Sequence, residues 1–327
     1  MDKLVTTKQL HLFSGRHNQE LTALIGEHLD THVTDAGLGQ FANGEFHCKF
    51  GESVRGADVF IVQSHGEFEG RSVNDAIMEH LIMVDAARRA SAKRITAVMP
   101  SYGYARQDRK AEGREPITAK LVADLFKAAG ASRLVSVDLH SGQIQGFFNG
   151  PVDHLTAMPV LVERLKRMTE DLVVVSPDAG RVKVAERYSQ QLHADLAIVH
   201  KRRAKGLKNV AEAKDVVGEV EGRNCVIIDD MIDTAGTICQ AAELLAERGA
   251  ASVCAAATHG VFSGPAVDRL KNSMLDKVIV TDTLPMPSEK RFDKLEILSV
   301  AQVIADAIRA VFEESSVSQI FDGQNQQ

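Results

Sequence analysis

The chain has 327 residues, 44% of them hydrophobic and 25% charged, with a formal net charge of −6. That is enough length for about two ordinary domains, with a composition typical of a water-soluble globular protein. The acidic balance gives no electrostatic support to bulk nucleic-acid binding. No run approaches the roughly 18 uncharged apolar residues of a membrane span, and the opening MDKLVTTKQLHLF lacks the apolar centre of a signal peptide.

In chain order, Asp58–Gln63 (DVFIVQ) reads as a buried strand. Val73–Ala92 reads as a helix, with Ile77, Leu81 and Val84 recurring at helical period. Arg94–Pro100 is the next strand. Pro116–Gly130 is a helix with Pro near its first turn and Gly at its end, and Arg133–His140 is a further strand. The cycle repeats as helix Met158–Met168, strand Leu172–Asp178, helix Lys183–Leu192, strands Leu196–Lys201 and Asn224–Asp230, helix Thr237–Gly249 and strand Ser252–Gly260. A last helix is expected near Val300–Glu314, followed by a frayed end. Strands alternating with helices predict parallel α/β sheets, and unbroken apolar runs suit strands buried on both faces. Two such units are expected, with a seam near Asn149–Pro159, which carries Gly and two Pro. Residues 1–155, completed by helix 300–314, form the N-terminal domain. Residues 156–299 form the C-terminal domain, and 315–327 are a tail. The four cysteines show no CxxC spacing, and Cys225, Cys239 and Cys254 lie in apolar runs. Buried thiols and a reducing, cytoplasmic location are expected.

One stretch, CVIIDDMIDTAGTICQAA (Cys225–Ala242), carries the strongest chemical signal. An apolar strand ends in Asp229 and Asp230, and a loop of small residues, Asp233, Thr234, Ala235, Gly236 and Thr237, leads into a helix. In an open parallel sheet, ligands sit beyond the carboxyl ends of the strands. Backbone N–H groups at a helix N-terminus, with threonine hydroxyls, make an anion site, and small residues let a phosphate approach closely. The carboxylates would repel that phosphate, but they can accept hydrogen bonds from sugar hydroxyls or bind Mg²⁺ directly or through water. The combination points to a phosphorylated sugar. The plainer alternative is a strand end followed by an N-capping Asp or Thr.

This stretch resembles the phosphoribosyl-pyrophosphate motif of the phosphoribosyltransferase fold. Together with YARQDRKAEGREPITAKL, VDLHSGQIQGFF, VVVSPDAG, IVHKRR and ATHGVFSGPA, the chain resembles the ribose-phosphate diphosphokinase family, the phosphoribosyl pyrophosphate synthases of the bacterial phosphate-activated class. The likeness runs from LHLFSG to SVSQIFDG. It implies two phosphoribosyltransferase-type domains, each a parallel sheet flanked by helices. It also implies transfer of the diphosphate group of ATP to the anomeric hydroxyl of ribose 5-phosphate. The products are phosphoribosyl pyrophosphate, for nucleotide, histidine and tryptophan biosynthesis, and AMP.

The resemblance assigns roles residue by residue. Asp229, Asp230, Asp233, Thr234, Ala235, Gly236 and Thr237 bind ribose 5-phosphate. Phe41, Asn43, Gly44 and Glu45 of GQFANGEF, with Arg106, Gln107 and His140, bind ATP. Phe41 stacks on adenine, although taken alone it reads as a core or interface aromatic, and many relatives carry Asp at Asn43. His140 and Asp178 hold Mg²⁺, some of whose ligands are water. Lys201 and Arg203, in a flap starting at HKRR, serve the transferring phosphates, and flap closure excludes water. A charge run is otherwise usually a solvated face. Arg181 stands where a second Gly often follows the first. It is expected to leave the metal ligands untouched and to alter the flexibility of its loop. Ser53, Arg55, Arg89, Ser316 and Ser318 match segments that bind phosphate or ADP at a subunit interface. Phosphate is therefore expected to activate, ADP to inhibit, and the chain to form a homo-oligomer, a hexamer in the family, whose adenine pocket borrows residues from a neighbour. Each of these five residues singly reads as an ordinary surface group.

Other signals are weaker. GLGQFA fits a loose dinucleotide pattern but is followed by NGEF rather than a helix, and no GxxxxGK[ST] occurs. His28 and His32 are four apart without the Glu of HExxH, and are read as surface residues. Two competing functions are a salvage phosphoribosyltransferase and a catalytically silent subunit associated with true synthases. The first leaves YARQDRK and HKRR unexplained. The second usually shows a disrupted flap, whereas Lys201 and Arg203 are present.

Overall fold

A computed structural model describes residues 8–168, 171–202 and 213–321. The chain divides into two compact units. Unit 1 comprises 1–156, 283–285 and 300–327, and unit 2 comprises 157–282 and 286–299.

Unit 1 begins with β1 (Leu10–Ser14), α1 (Gln19–Leu29) and β2 (Val33–Thr34). A small antiparallel hairpin follows, β3 (Gly39–Gln40) and β4 (Phe46–His47). Then come β5 (Asp58–Val62), α2 (Val73–Arg89), β6 (Arg94–Met99), α3 (Thr118–Ala129), β7 (Arg133–Val137) and β8 (Val152–Leu155). The six-stranded sheet has the order β2-β1-β5-β6-β7-β8 and is parallel throughout. Every residue of β5 is buried, because parallel strands covered by helices on both faces have no polar face to offer. Alternate side chains (Val59, Ile61, Ile95, Ala97, Leu134) share one core with Met83, Val84, Val122 and Phe126 of α2 and α3. α2 starts at a capping box, in which Ser72 and Asp75 satisfy each other's backbone N–H groups.

Unit 2 begins with α4 (Met158–Lys166), β9 (Leu172–Ser176), α5 (Val182–Leu192), β10 (Asp195–Arg202) and β11 (Ala213–Val217). It continues with β12 (Asn224–Ile232), α6 (Gly236–Glu247), β13 (Ser252–Gly260), α7 (Ala266–Asn272), β14 (Lys277–Thr281) and β15 (Leu295–Leu298). The sheet order is β11-β10-β9-β12-β13-β14-β15, parallel except for the edge pair β10–β11. One face (Val173, Val175, Cys225, Ile227, Val253, Ala255) packs on α6 and α7 through Ile238, Ala242, Leu245 and Leu270. α5 packs on β9, β10 and β12, with α4 against α5. The chain returns to unit 1 as α8 (Ala301–Glu313), which packs on α1 and β8.

The two sheets share a connectivity. In unit 1 the chain leaves β1 toward β2 and later resumes at β5 on the other side. In unit 2 it leaves β9 toward β10 and resumes at β12. Each sheet therefore has a switch point, β1/β5 and β9/β12, where the connections diverge and a crevice opens at the carboxyl ends. Cys225, Cys239 and Cys254 are buried, Cys48 is half-buried, and all four are free thiols. No helix among the described residues is long and apolar enough to cross a membrane.

Candidate active site

The two crevices differ. In unit 1 the switch point is filled. Gln63, fully buried, accepts from the His17 N–H at 3.0 Å and donates to Glu79 Oε1 at 2.9 Å, while Glu79 also holds Arg16. A Cβ on Gly15 would lie 2.1 Å from Gln63 Oε1, so that glycine is needed for the packing. In unit 2 β9 ends at Ser176, and its last pair with β12 is Val175–Ile227. β12 runs on to Ile232, so Asp229 and Asp230 overhang the end of β9.

The turn after β9 fills the near side of this overhang. Asp178 caps it, its Oδ1 accepting from the Gly180 N–H at 2.8 Å, and the turn delivers Arg181 to the acids. Arg181 Nε lies 3.2 Å from Asp229 Oδ1, and Nη2 lies 2.7 Å from Asp230 Oδ1. Beyond the expected bearing on loop flexibility, the Arg181 guanidinium is bonded to both acids of the sugar motif. Consecutive strand residues normally face opposite ways. Arg181 reaches both because Asp229 turns back to accept from the Asp230 N–H at 2.8 Å. The Asp229 and Asp230 side chains are only 16% and 8% exposed. Burial, and then the charge of Asp230, push the Asp229 carboxyl up to about 8, against the opposing pull of Arg181. A guanidinium on both acids disfavours direct chelation of a divalent cation there and suits the pair to hydrogen bonding instead.

Beyond β12 the loop Asp233–Ala235 is backed by the turn after β13. Ser263 N–H donates to the Asp233 carbonyl at 3.0 Å, and the Val261 and Phe262 N–H groups donate to Ile232 O. Arg269 of α7 donates to the Thr234 carbonyl at 2.9 Å. Ala235 has φ 61°, a left-handed conformation uncommon for a residue with a Cβ, and no side chain caps α6. Strain of about 1–3 kcal/mol at such a residue is characteristic of ligand loops. The first N–H groups of a twelve-residue helix thus meet the crevice without a capping side chain.

The remaining candidates are placed as follows. In unit 1, Phe41, Asn43, Gly44 and Glu45 form the exposed turn of the β3–β4 hairpin. Phe41 is 56% exposed, so it is no core aromatic, and it lies 5.0 Å from the His47 ring. Gly44 has φ 92°, and Asn43 Oδ1 accepts from the Glu45 N–H at 3.2 Å, which shapes the tip. Arg106 and Gln107 are exposed in the loop before α3. Gln107 N–H donates to Tyr104 O, and Gln107 O accepts from the Ala119 N–H. Buried Asp108 accepts from Gln143 at 2.8 Å, tying this loop to the segment just after half-buried His140. Ser53 and Arg55 are exposed on either side of buried Val54, and exposed Arg89 pairs with Asp85 at 2.6 Å. Ser316 Oγ and Ser318 Oγ lie 2.8 Å apart. In unit 2, Thr237 and Gly236 open α6, and Asp178 is exposed. The backbone of Lys201 lies in β10, paired with Lys214, and Arg203 lies outside the described residues. Among the described residues no group of three or more His, Cys, Asp or Glu side chains is placed to hold a metal. The contact of Arg181 with the acids, and Arg269 altogether, were missed because they depend on neighbouring strands and helices, not on spacing within a motif.

Two mainly parallel sheets with an overhanging acid pair and an uncapped helix define a phosphoribosyltransferase-type α/β protein. Residues 10–130 match the family model described as the N-terminal domain of ribose phosphate pyrophosphokinase, and 205–322 match the phosphoribosyl synthetase-associated domain. The chain is 53% identical to the ribose-phosphate pyrophosphokinase of Streptomyces avermitilis over 324 residues, covering 98% of this chain and 99% of that one. It is 53% identical to that of Mycobacterium leprae over 320 residues, covering 97% of each. The crystal structure of phosphoribosylpyrophosphate synthetase from Mycobacterium smegmatis superposes with a TM-score of 0.88 at 51% identity, covering 94% of this chain and 100% of that one. The chain belongs to the ribose-phosphate pyrophosphokinase family. It is an enzyme that makes phosphoribosyl pyrophosphate from ribose 5-phosphate and ATP.

Proposed function

We propose that ribose 5-phosphate binds in the unit 2 crevice, with its phosphate on the α6 N-terminus and its ring hydroxyls on Asp229 and Asp230. The observation that carries this reading is the uncapped α6 helix beside two mostly buried carboxylates at the β9/β12 switch point. Asp233, Thr234, Ala235, Gly236 and Thr237 supply the phosphate cradle. The anomeric hydroxyl attacks the β-phosphorus of ATP, a bond forms from that oxygen to phosphorus, and AMP leaves with the bridging oxygen. ATP is assigned to the unit 1 loops, with Phe41 stacking on adenine, Asn43, Gly44 and Glu45 at the base edge, and Arg106, Gln107 and His140 on the nucleotide. The exposure of the Phe41 ring suits stacking.

Phosphoryl transfer depends on positioning and on neutralising charge, so Lys201 and Arg203 are assigned to the transferring phosphates. Mg²⁺ supplies further neutralisation. Its proposed protein ligands are His140 and Asp178, and an exposed carboxylate and an imidazole suit an ion that keeps several waters and leans on substrate phosphates. Such an ion does not require a cluster of three protein ligands. The reading includes a homo-oligomer, a hexamer as in the family, with phosphate activating and ADP inhibiting through Ser53, Arg55, Arg89, Ser316 and Ser318. It places the enzyme in the cytoplasm, for which the free, largely buried thiols are suited. Thr237→Ala and Asp233→Ala test the substrate assignment. Each raises the KM for ribose 5-phosphate more than that for ATP, and the reverse ranking would exchange the two sites.

A further inference from the structure

Arg181 is bonded to both acids of the sugar motif, and neither its spacing nor the known reaction assigns it a task. A structural ion pair explains it poorly. Buried ion pairs contribute little to stability even when balanced, and here one guanidinium spans two neighbouring acids at a mostly buried strand end. The bridge makes sense if the site must hold both acids in one fixed arrangement toward a ligand. The arginine reaches Oδ1 of both acids, and Asp229 Oδ1 also accepts from the Asp230 N–H, so the two side chains are tied together. The guanidinium also offsets the repulsion that two bare carboxylates would exert on each other and on a phosphate at the start of α6. Its planar fork fixes the angle between the two acids, which a point charge cannot do.

We propose that Arg181 is a positioning residue that fixes the Asp229 and Asp230 side chains as a paired hydrogen-bonding site for the vicinal diol of the sugar, and so sets the preference for ribose over deoxyribose. This rests on the reading that those acids bind the ring hydroxyls. An alternative task, a direct ligand to the substrate phosphate, would leave that preference unmoved, because both sugars carry the phosphate.

The test compares the KM for ribose 5-phosphate with the inhibition constant of 2-deoxyribose 5-phosphate, at saturating ATP and Mg²⁺. It uses the full-length wild type, Arg181→Gln, Arg181→Lys and Asp230→Asn. The wild type should prefer the ribose compound by at least about tenfold, the scale of a hydrogen bond to a charged acceptor. Arg181→Gln should shrink that ratio by about fivefold or more, with the KM for ATP changed less than about twofold, and Arg181→Lys should fall between, because charge is kept and the fork lost. Equal weakening of both sugars, or an unchanged ratio in Arg181→Gln, overturns the proposal. If Arg181→Gln fails to fold, Arg181→Lys decides: a wild-type ratio there overturns it. Asp230→Asn separates the underlying reading. If it lowers the ratio and the arginine variants do not, only the proposal fails. If it leaves the ratio untouched, the assignment of the acids to the hydroxyls fails as well.

Discussion

Lowering the pH from 7 to 5 should destabilise unit 1 through a buried histidine pair, and His80→Leu should remove the His80 share of that effect. His65 follows β5 and His80 lies in α2, both nearly or fully buried. The Gly103 N–H donates to His65 Nδ1 at 3.1 Å, so the proton of the neutral His65 ring sits on Nε2, which donates to His80 Nδ1 at 3.1 Å. Both rings pack on Phe126 of α3, at 5.7 and 4.8 Å between centroids. Burial is the largest cause that holds both imidazoles neutral, lowering His80 from 6.5 to about 3 and His65 well below its ordinary value. The sign follows directly. Between about pH 6.5 and 3 the unfolded chain binds protons that the folded chain refuses, so this stability is present above pH 6.5 and is lost as the pH falls. At pH 5 the loss is about 2 kcal/mol for His80, and His65 acts in the same direction. His80→Leu leaves the His65 Nε2–H without its acceptor and is less stable at pH 7 by about 1–3 kcal/mol. The gap to wild type should then narrow by about 2 kcal/mol at pH 5, a relative shift of about 4–8 °C in the unfolding midpoint of a unit this size. Thermal unfolding of both proteins at the two pH values is the assay. A gap that stays constant or widens on acidification would refute the reasoning.

Two further outcomes follow from the site. Arg269→Ala removes the donor that holds the Thr234 carbonyl. It should raise the KM for ribose 5-phosphate about tenfold while leaving thermal stability within about 1 kcal/mol, as for an exposed residue; steady-state kinetics beside a melting curve checks this, and an unchanged KM rejects the bracing role. Arg55→Ala should abolish activation by inorganic phosphate and weaken ADP inhibition, with little change in the KM for ribose 5-phosphate at saturating phosphate. Activity measured across a phosphate titration checks it, and an unaltered phosphate response counts against the effector assignment.

The alternation of strands and helices was legible because buried parallel strands are written as unbroken apolar runs, as in β9, β12 and β13. The sugar loop was legible for a related reason: its acids, small residues and helix start are contiguous in sequence. Elements with weak signals were not read. β2, β3 and β4 are two residues each, and β11 and β15 are edge strands that need less apolar character. The strand read over Arg133–His140 stops at Val137 because Asp138 takes φ 39°. Arg181 illustrates a different limit. It lies 48 residues before Asp229 and meets it only because β9 and β12 are neighbours and β12 outruns β9. The His65–His80 pair escaped for the same reason: a helix and a strand end must pack before the two rings become one hydrogen-bonded unit. Arg269 was likewise invisible until α7 was placed beside the loop.

The central claim is diphosphate transfer to ribose 5-phosphate, and product analysis tests it most directly. The purified chain is incubated with ATP, Mg²⁺ and phosphate, with and without ribose 5-phosphate, and nucleotides and sugar phosphates are separated. The account predicts AMP and phosphoribosyl pyrophosphate in equal amounts, formed only when the sugar is present. Release of ADP as the product of transfer, or AMP formed at the same rate without the sugar, would contradict it.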